Sequence, residues 1–171
     1  MKTYLVNVKI QGIIQQLIIR AESEEDIHYI NNCASITSAN RKEIIRAFVD
    51  RSSVVTIGLD PTPKSAEAKT VYNTIQEIKA IVDEAVYMKN AYFFNPPSKA
   101  SLRRYYEKKH THDIVEWTEG GNLYSAAFDV KCTCTSVYAK GYYTKNGEQT
   151  NLKAIRYSLA KLQTALLLGE I

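Results

Sequence analysis

Residues 92–110 read Tyr92-Phe93-Phe94-Asn95-Pro96-Pro97-Ser98-Lys99-Ala100-Ser101-Leu102-Arg103-Arg104-Tyr105-Tyr106-Glu107-Lys108-Lys109-His110. Three aromatics, a double proline, two small hydroxyl residues and a burst of cations are the parts needed to hold something flat and anionic, for which a nucleotide is the obvious candidate. Between Lys99 and His110 five Lys or Arg stand against one Glu, a local formal charge of +4 that equals the net charge of the whole chain. If Pro97 or Ser98 opens a helix, the unpaired N–H groups of its first turn favour an anion, and Arg103 and Arg104 project one turn further on. Arginine forks match phosphate oxygens two at a time. Tyr92, Phe93 and Phe94 could stack on a base, worth roughly 1–3 kcal/mol per base. Composition alone is equally compatible with a solvated basic helix whose preceding aromatics are core.

Other reactive groups are less organised. His110-Thr111-His112-Asp113 puts two histidines on one side of a strand, but zinc needs three or four ligands and the only other histidine is His28. Cys132-Thr133-Cys134 likewise puts two thiols on one face, whereas Cys-x-x-Cys is the usual metal or redox spacing, so both read as small buried hydrophobes. The sequence has no Gly-rich phosphate loop, Gly-x-Ser-x-Gly, His-Glu-x-x-His or paired-carboxylate motif. Neither a catalytic residue, a metal nor a cofactor is therefore expected.

The elements that must position residues 92–110 can be read on either side. Tyr4, Val6, Val8 and Ile10 alternate with polar residues, Gln11-Gly12 makes a tight turn and residues 13–21 return as a second strand. Ser23 followed by Glu24, Glu25 and Asp26 predicts a helix to about Cys33, because a hydroxyl cap and acids suit the positive end of a helix dipole. A short helix over 40–48 and a strand over 53–57 complete a small ββααβ unit. Pro61 and Pro63 mark a boundary, since two prolines in three residues fit neither a helix interior nor a central strand. Thr62 then caps a helix reaching about Asn90, with Val71, Ile75, Ile78, Val82 and Ala85 on one stripe. Strands follow over 113–118, 122–134 and 136–144, with hairpin turns at Glu119-Gly120-Gly121 and Lys145-Asn146-Gly147. A last helix from about Asn151 repeats Leu152, Ile155, Leu159, Leu162 and Leu166 at heptad spacing, a seam for a helix of the same chain or for a second copy. The fold class is α+β.

Composition bounds the rest. With 171 residues, 45% hydrophobic and 23% charged, the chain is one medium domain or two small ones. No apolar run approaches the ~18 residues of a membrane span, and the alternating start does not resemble a signal peptide. Three cysteines form no even framework, which fits a reducing, cytoplasmic compartment. Nine of twelve tyrosines fall between Tyr87 and Tyr157, where a ring with a polar tip suits an interface or pocket.

A family likeness enters at these residues. Tyr92-Phe93-Phe94, Pro96-Pro97-Ser98, Ala100-Ser101, Arg103-Arg104 and Tyr106-Glu107-Lys108, followed by Cys132-Thr133-Cys134, Val137-Tyr138 and Asn146-Gly147, resemble the Thoeris anti-defence protein 1 family of bacteriophages over roughly residues 70–165. The chain departs from that pattern at Thr135-Ser136, where a Lys-Asn pair is expected, and at Ala139, where a second aromatic is usual. The resemblance implies a sponge that binds NAD-derived cyclic ADP-ribose isomers tightly without cleaving them, some members also holding cyclic oligonucleotides at a separate site. It further implies a homodimer or a dimer-based higher oligomer with pockets near the dimer contact, acting in the cytoplasm of an infected bacterial host. The ligand-binding set it implies is Tyr92, Phe93, Phe94, Asn95, Ser101, Arg103, Arg104, Lys108 and Tyr138. Residues 1–60 are then an added α+β module of unassigned role, and residues 61–171 the nucleotide-signal-binding domain.

Two other readings stay open. In a nucleic-acid-binding module the basic element would track a phosphate backbone, although +4 is modest for that task. In a nuclease or phosphodiesterase, His110, His112 and Asp113 would carry the chemistry, and further ligands close by in sequence are lacking.

Overall fold

A computed structural model of the chain describes residues 1–50, 53–56, 65–94, 114–129 and 140–171, with backbone alone for 53–56, 84–94, 128–129 and 140–142. The protein is α+β. Its described strands are β1 (Lys2–Ile10), β2 (Ile13–Ala21), β3 (Cys33–Ser38), β4 (Ser53–Thr56), β5 (Val115–Glu119), β6 (Asn122–Asp129), β7 (Lys140–Lys145) and β8 (Glu148–Gln149), and its α-helices are α1 (Arg41–Val49), α2 (Ala66–Phe94) and α3 (Leu152–Leu168). The strands form two sheets, ordered β3-β1-β2-β4 and β5-β6-β7-β8. Two compact units result, Met1–Lys69 with Ala160–Ile171, and Thr70–Leu159. The division read from the prolines at 61 and 63 did not anticipate that residues 160–171 belong with the first unit.

In the first unit, the alternation of β1 buries Tyr4, Val6 and Val8. Gln11 and Gly12, at φ 50° and 83°, make the left-handed pair of a two-residue turn and set the register from Lys2↔Ala21 to Ile10↔Ile13. β3 adds antiparallel to β1 and β4 parallel to β2. Both sheet faces are covered. Tyr4, Val6, Val8, Ile19 and Ala21 pack with Ile27 on one side. Ile18 packs with Ile44, Ile45, Ala47 and Phe48 of α1 and with Ala160 of α3 on the other. Asn40 caps α1 through the N–H groups of Lys42 and Glu43 at 3.0 and 3.1 Å, and the Glu43 carboxylate returns to the Asn40 N–H at 2.7 Å, a complete capping box.

The helix expected from Ser23 to Cys33 is corrected to one 3-10 turn, Glu25–Ile27, with β3 beginning at Cys33. The reason is local. The Ser23 hydroxyl donates to the Asp26 carboxylate at 3.1 Å, and the Ser23 N–H donates to it at 2.8 Å, so the predicted cap closes a turn instead of accepting a helical N–H. Asn32 then sits at φ 64°, a left-handed conformation that stops any helix.

At the start of α2 the cap is Ser65, whose hydroxyl accepts the Ala68 N–H at 2.9 Å; Thr62 and Pro63 lie outside the described residues. In the second unit, α2 buries Ile75, Ile78, Ile81 and Val82. The turns at Gly120-Gly121 (φ 57° and 76°) and Asn146-Gly147 (φ 52° and 81°) join β5 to β6 and β7 to β8. Asn146 also binds the neighbouring hairpin: its side-chain oxygen accepts the Leu123 N–H at 2.9 Å and its amide donates to Asn122 at 3.0 Å.

Asn151 caps α3 through the Ala154 N–H at 3.0 Å. Gly169, at φ 72°, ends the helix: its N–H reaches the Leu166 carbonyl at 3.2 Å and the Glu170 N–H reaches Ala165 at 2.9 Å, a Schellman motif. The Arg20 guanidinium donates to the Leu167 carbonyl, and Arg41 pairs with Glu170. Of the heptad stripe, Ile155 and Leu159 are buried within the chain, while Leu152, Leu162 and Leu166 are half-buried. None of the helices, among the described residues, is long and apolar enough to cross a membrane.

Candidate ligand-binding site

α2 continues to Phe94, four residues beyond the expected end at Asn90, so Tyr92, Phe93 and Phe94 form its last turn. Consecutive helical positions lie about 100° apart, so these three do not share one face. The end of a helix also carries the negative pole of its dipole, which repels a phosphate. Asn95, Ser101, Arg103, Arg104, Lys108 and Tyr138 lie outside the described residues, as do His110, His112, Asp113, Cys132 and Cys134. Among the described residues there is no group of three His, Cys, Asp or Glu side chains able to hold a metal ion.

The sheet beyond the basic segment places aromatic groups that sequence reasoning did not single out. Trp117 and Tyr124, directly opposite in register, stack with ring centroids 5.6 Å apart and planes 11° from parallel. Lys145 lies over the Tyr124 ring at 6.0 Å. The Trp117 indole N–H donates to the Ser158 hydroxyl at 2.8 Å, fixing β5 to α3 inside the unit. Trp117 and Tyr124 are 7% and 6% exposed, too covered to serve as an open platform for a base. Their alternation in Val115-Glu116-Trp117 and Leu123-Tyr124-Ser125 was the available signal. Comparison with protein-family models, with curated proteins and with solved structures finds no match to this chain.

Tyr143 on β7 is the unusual polar group of this sheet. It is 7% exposed, and its buried hydroxyl has no hydrogen-bond partner among the described residues. Burial pushes its pKa up to about 12. Because the folded state holds this proton more tightly than the unfolded state, the contribution is fully present below about pH 10 and is lost as pH rises from about 10 towards 12. Tyr143→Phe should remove that alkaline component and raise stability by about 1 kcal/mol by deleting a buried hydroxyl that has no partner among the described residues. Urea unfolding of both proteins at neutral and alkaline pH checks this. A less stable Phe variant at neutral pH would mean that the hydroxyl has a partner.

Proposed function

We propose that this protein is a phage anti-defence sponge that binds NAD-derived cyclic ADP-ribose isomers and sequesters them uncleaved, blocking Thoeris immune signalling in the cytoplasm of the infected bacterium. The observation that carries the reading is the order of residues in the sequence: Tyr92-Phe93-Phe94, at the end of α2, then Asn95-Pro96-Pro97 and a segment of charge +4. A cyclic ADP-ribose isomer is compact, carries a diphosphate and exposes a purine face. Arginines beside aromatics suit both groups. The resemblance of the sequence to the Thoeris anti-defence protein 1 family over roughly residues 70–165 supports the same reading. The working form is a homodimer or a dimer-based higher oligomer, as in that family.

Holding a ligand at nanomolar concentration requires about 12 kcal/mol. Two or three charge-assisted hydrogen bonds at about 1.5–3 kcal/mol each, with stacking, approach this in a preorganised site. A nucleic-acid-binding module, the alternative, differs in its salt response. A closed pocket engages few diffuse phosphates, whereas backbone tracking releases many counterions and loses affinity as a steep power of salt. Equilibrium dialysis against a cyclic ADP-ribose isomer should therefore show retention that changes little between about 50 and 200 mM salt. Retention of DNA or RNA that collapses over that range, with none of the small nucleotide, would replace the sponge reading with the alternative.

A further inference from the structure

One Asn-Gly pair occurs in the chain, Asn146-Gly147 in the turn between β7 and β8. This dipeptide carries the chemistry of deamidation, because glycine has no Cβ to shield its amide nitrogen from the asparagine side chain before it. The Gly147 nitrogen loses its proton to hydroxide and bonds to the Asn146 Cγ, while Nδ2 takes up a proton from water and leaves as ammonia. Water then opens the five-membered imide at one carbonyl or the other, leaving an aspartate or an iso-aspartate linkage and one more negative charge beside Lys145. Asn146 and Gly147 are exposed, so water and hydroxide reach them.

The folded turn opposes ring closure twice. Asn146 at φ 52° and Gly147 at φ 81° are the two left-handed positions of a type I′ turn. In the left-handed region ψ lies at roughly +30 to +60°, which sets the Gly147 nitrogen nearly opposite the Asn146 Cβ across the Cα–C bond, whereas a planar imide needs the two eclipsed. The side chain is held as well. One pair beyond Tyr124↔Lys145, a regular antiparallel ladder would have Leu123 and Asn146 exchange two backbone bonds. The Asn146 N–H does donate to the Leu123 carbonyl at 2.7 Å, but the return bond from the Leu123 N–H is accepted at 2.9 Å by the Asn146 side-chain oxygen. The other half of that amide donates to Asn122 Oδ1 at 3.0 Å, and Asn122 Nδ2 donates in turn to the Gly120 carbonyl at 3.2 Å.

We propose that Asn146 is a deamidation site that the two hairpins hold shut, so that it converts only when the β7–β8 turn opens and the amide leaves Leu123 and Asn122. The relay through Asn122 has a direction, its oxygen towards Asn146 and its nitrogen towards Gly120. It therefore fits an amide at position 146. A carboxylate there sets oxygen against oxygen, and turning Asn122 over only moves that contact to the Gly120 carbonyl, so the relay does not re-form once the conversion is made. An iso-aspartate linkage also adds a carbon to the backbone of a turn that follows a fixed register between β6 and β7. The inference needs only this turn and its neighbours and does not depend on the sponge reading.

Peptide mapping by mass spectrometry tests this on the full-length protein after incubation at mildly alkaline pH. Asn146 should deamidate at least about tenfold more slowly in the folded protein than in a synthetic peptide of residues 143–149, because the reaction waits on local opening. Unfolding the wild type in urea should bring it to the rate of the peptide. Asn122→Ala removes one of the bonds that hold the amide and should speed the reaction at Asn146 by about two- to tenfold, with circular dichroism unchanged. Equal rates in the folded protein and the peptide, no conversion of Asn146 in the peptide, or an unchanged rate in a folded Asn122→Ala variant overturns the proposal.

Discussion

Replacing Arg103 and Arg104 together with Ala is expected to weaken binding of a cyclic ADP-ribose isomer by about 10²–10⁴-fold. Each guanidinium that bonds a phosphate contributes about 1.5–3 kcal/mol, so losing two removes about 3–6 kcal/mol, and every 1.4 kcal/mol is a factor of about ten. The melt of the unliganded protein should hardly move, since surface ion pairs in general contribute little to folding. Titration calorimetry on the wild type and the double variant measures the change. Equal affinity would remove the basic segment from the binding site.

The second large effect is on stability. Ile155 and Ile18 are both completely buried, one in each compact unit. Ile155→Ala and Ile18→Ala should each cost about 2–5 kcal/mol, a fall of roughly 4–20 °C in Tm for a chain of this length. Leu166→Ala should cost less, because Leu166 is only half-buried in the chain. Thermal unfolding followed by circular dichroism compares the three. A Leu166→Ala loss as large as that of Ile155→Ala would mean that another copy covers the half-buried part of the α3 stripe.

How the chain announces its structure can be traced residue by residue. Gln11-Gly12, Gly120-Gly121 and Asn146-Gly147 were legible as turns because a two-residue hairpin demands positive φ, and these residue types supply it. The alternation in β1 and the stripe Ile75, Ile78, Val82 were legible because burial tracks the period of the element. β3 was hidden. Ile27, Ile30, Cys33 and Ile36 repeat every three residues and come after a run of acids, which imitates a helix, yet all four pack on one core from a 3-10 turn, a loop and a strand. At the start of α2, Thr62-Pro63 and Ser65 are both good starts by residue type, and the cap among the described residues is the Ser65 hydroxyl on the Ala68 N–H. The place of residues 160–171 could not be read locally, because it depends on Ala160, Leu167 and Leu168 meeting Ile18 and α1. For the candidate site, residue types supplied the chemistry of the basic segment. The helical state of Tyr92, Phe93 and Phe94, which spreads them around the axis, came only from the structure.

The most direct measurement is the chemical fate of the ligand. A cyclic ADP-ribose isomer is incubated with excess protein, the free solution is separated and assayed, and the protein is then denatured by heat and its released nucleotide identified by mass spectrometry. The sponge account predicts that the isomer disappears from free solution and returns from the denatured protein intact and in full. Recovery of linear ADP-ribose would make the protein a hydrolase, and an isomer that stays in free solution throughout would contradict the account.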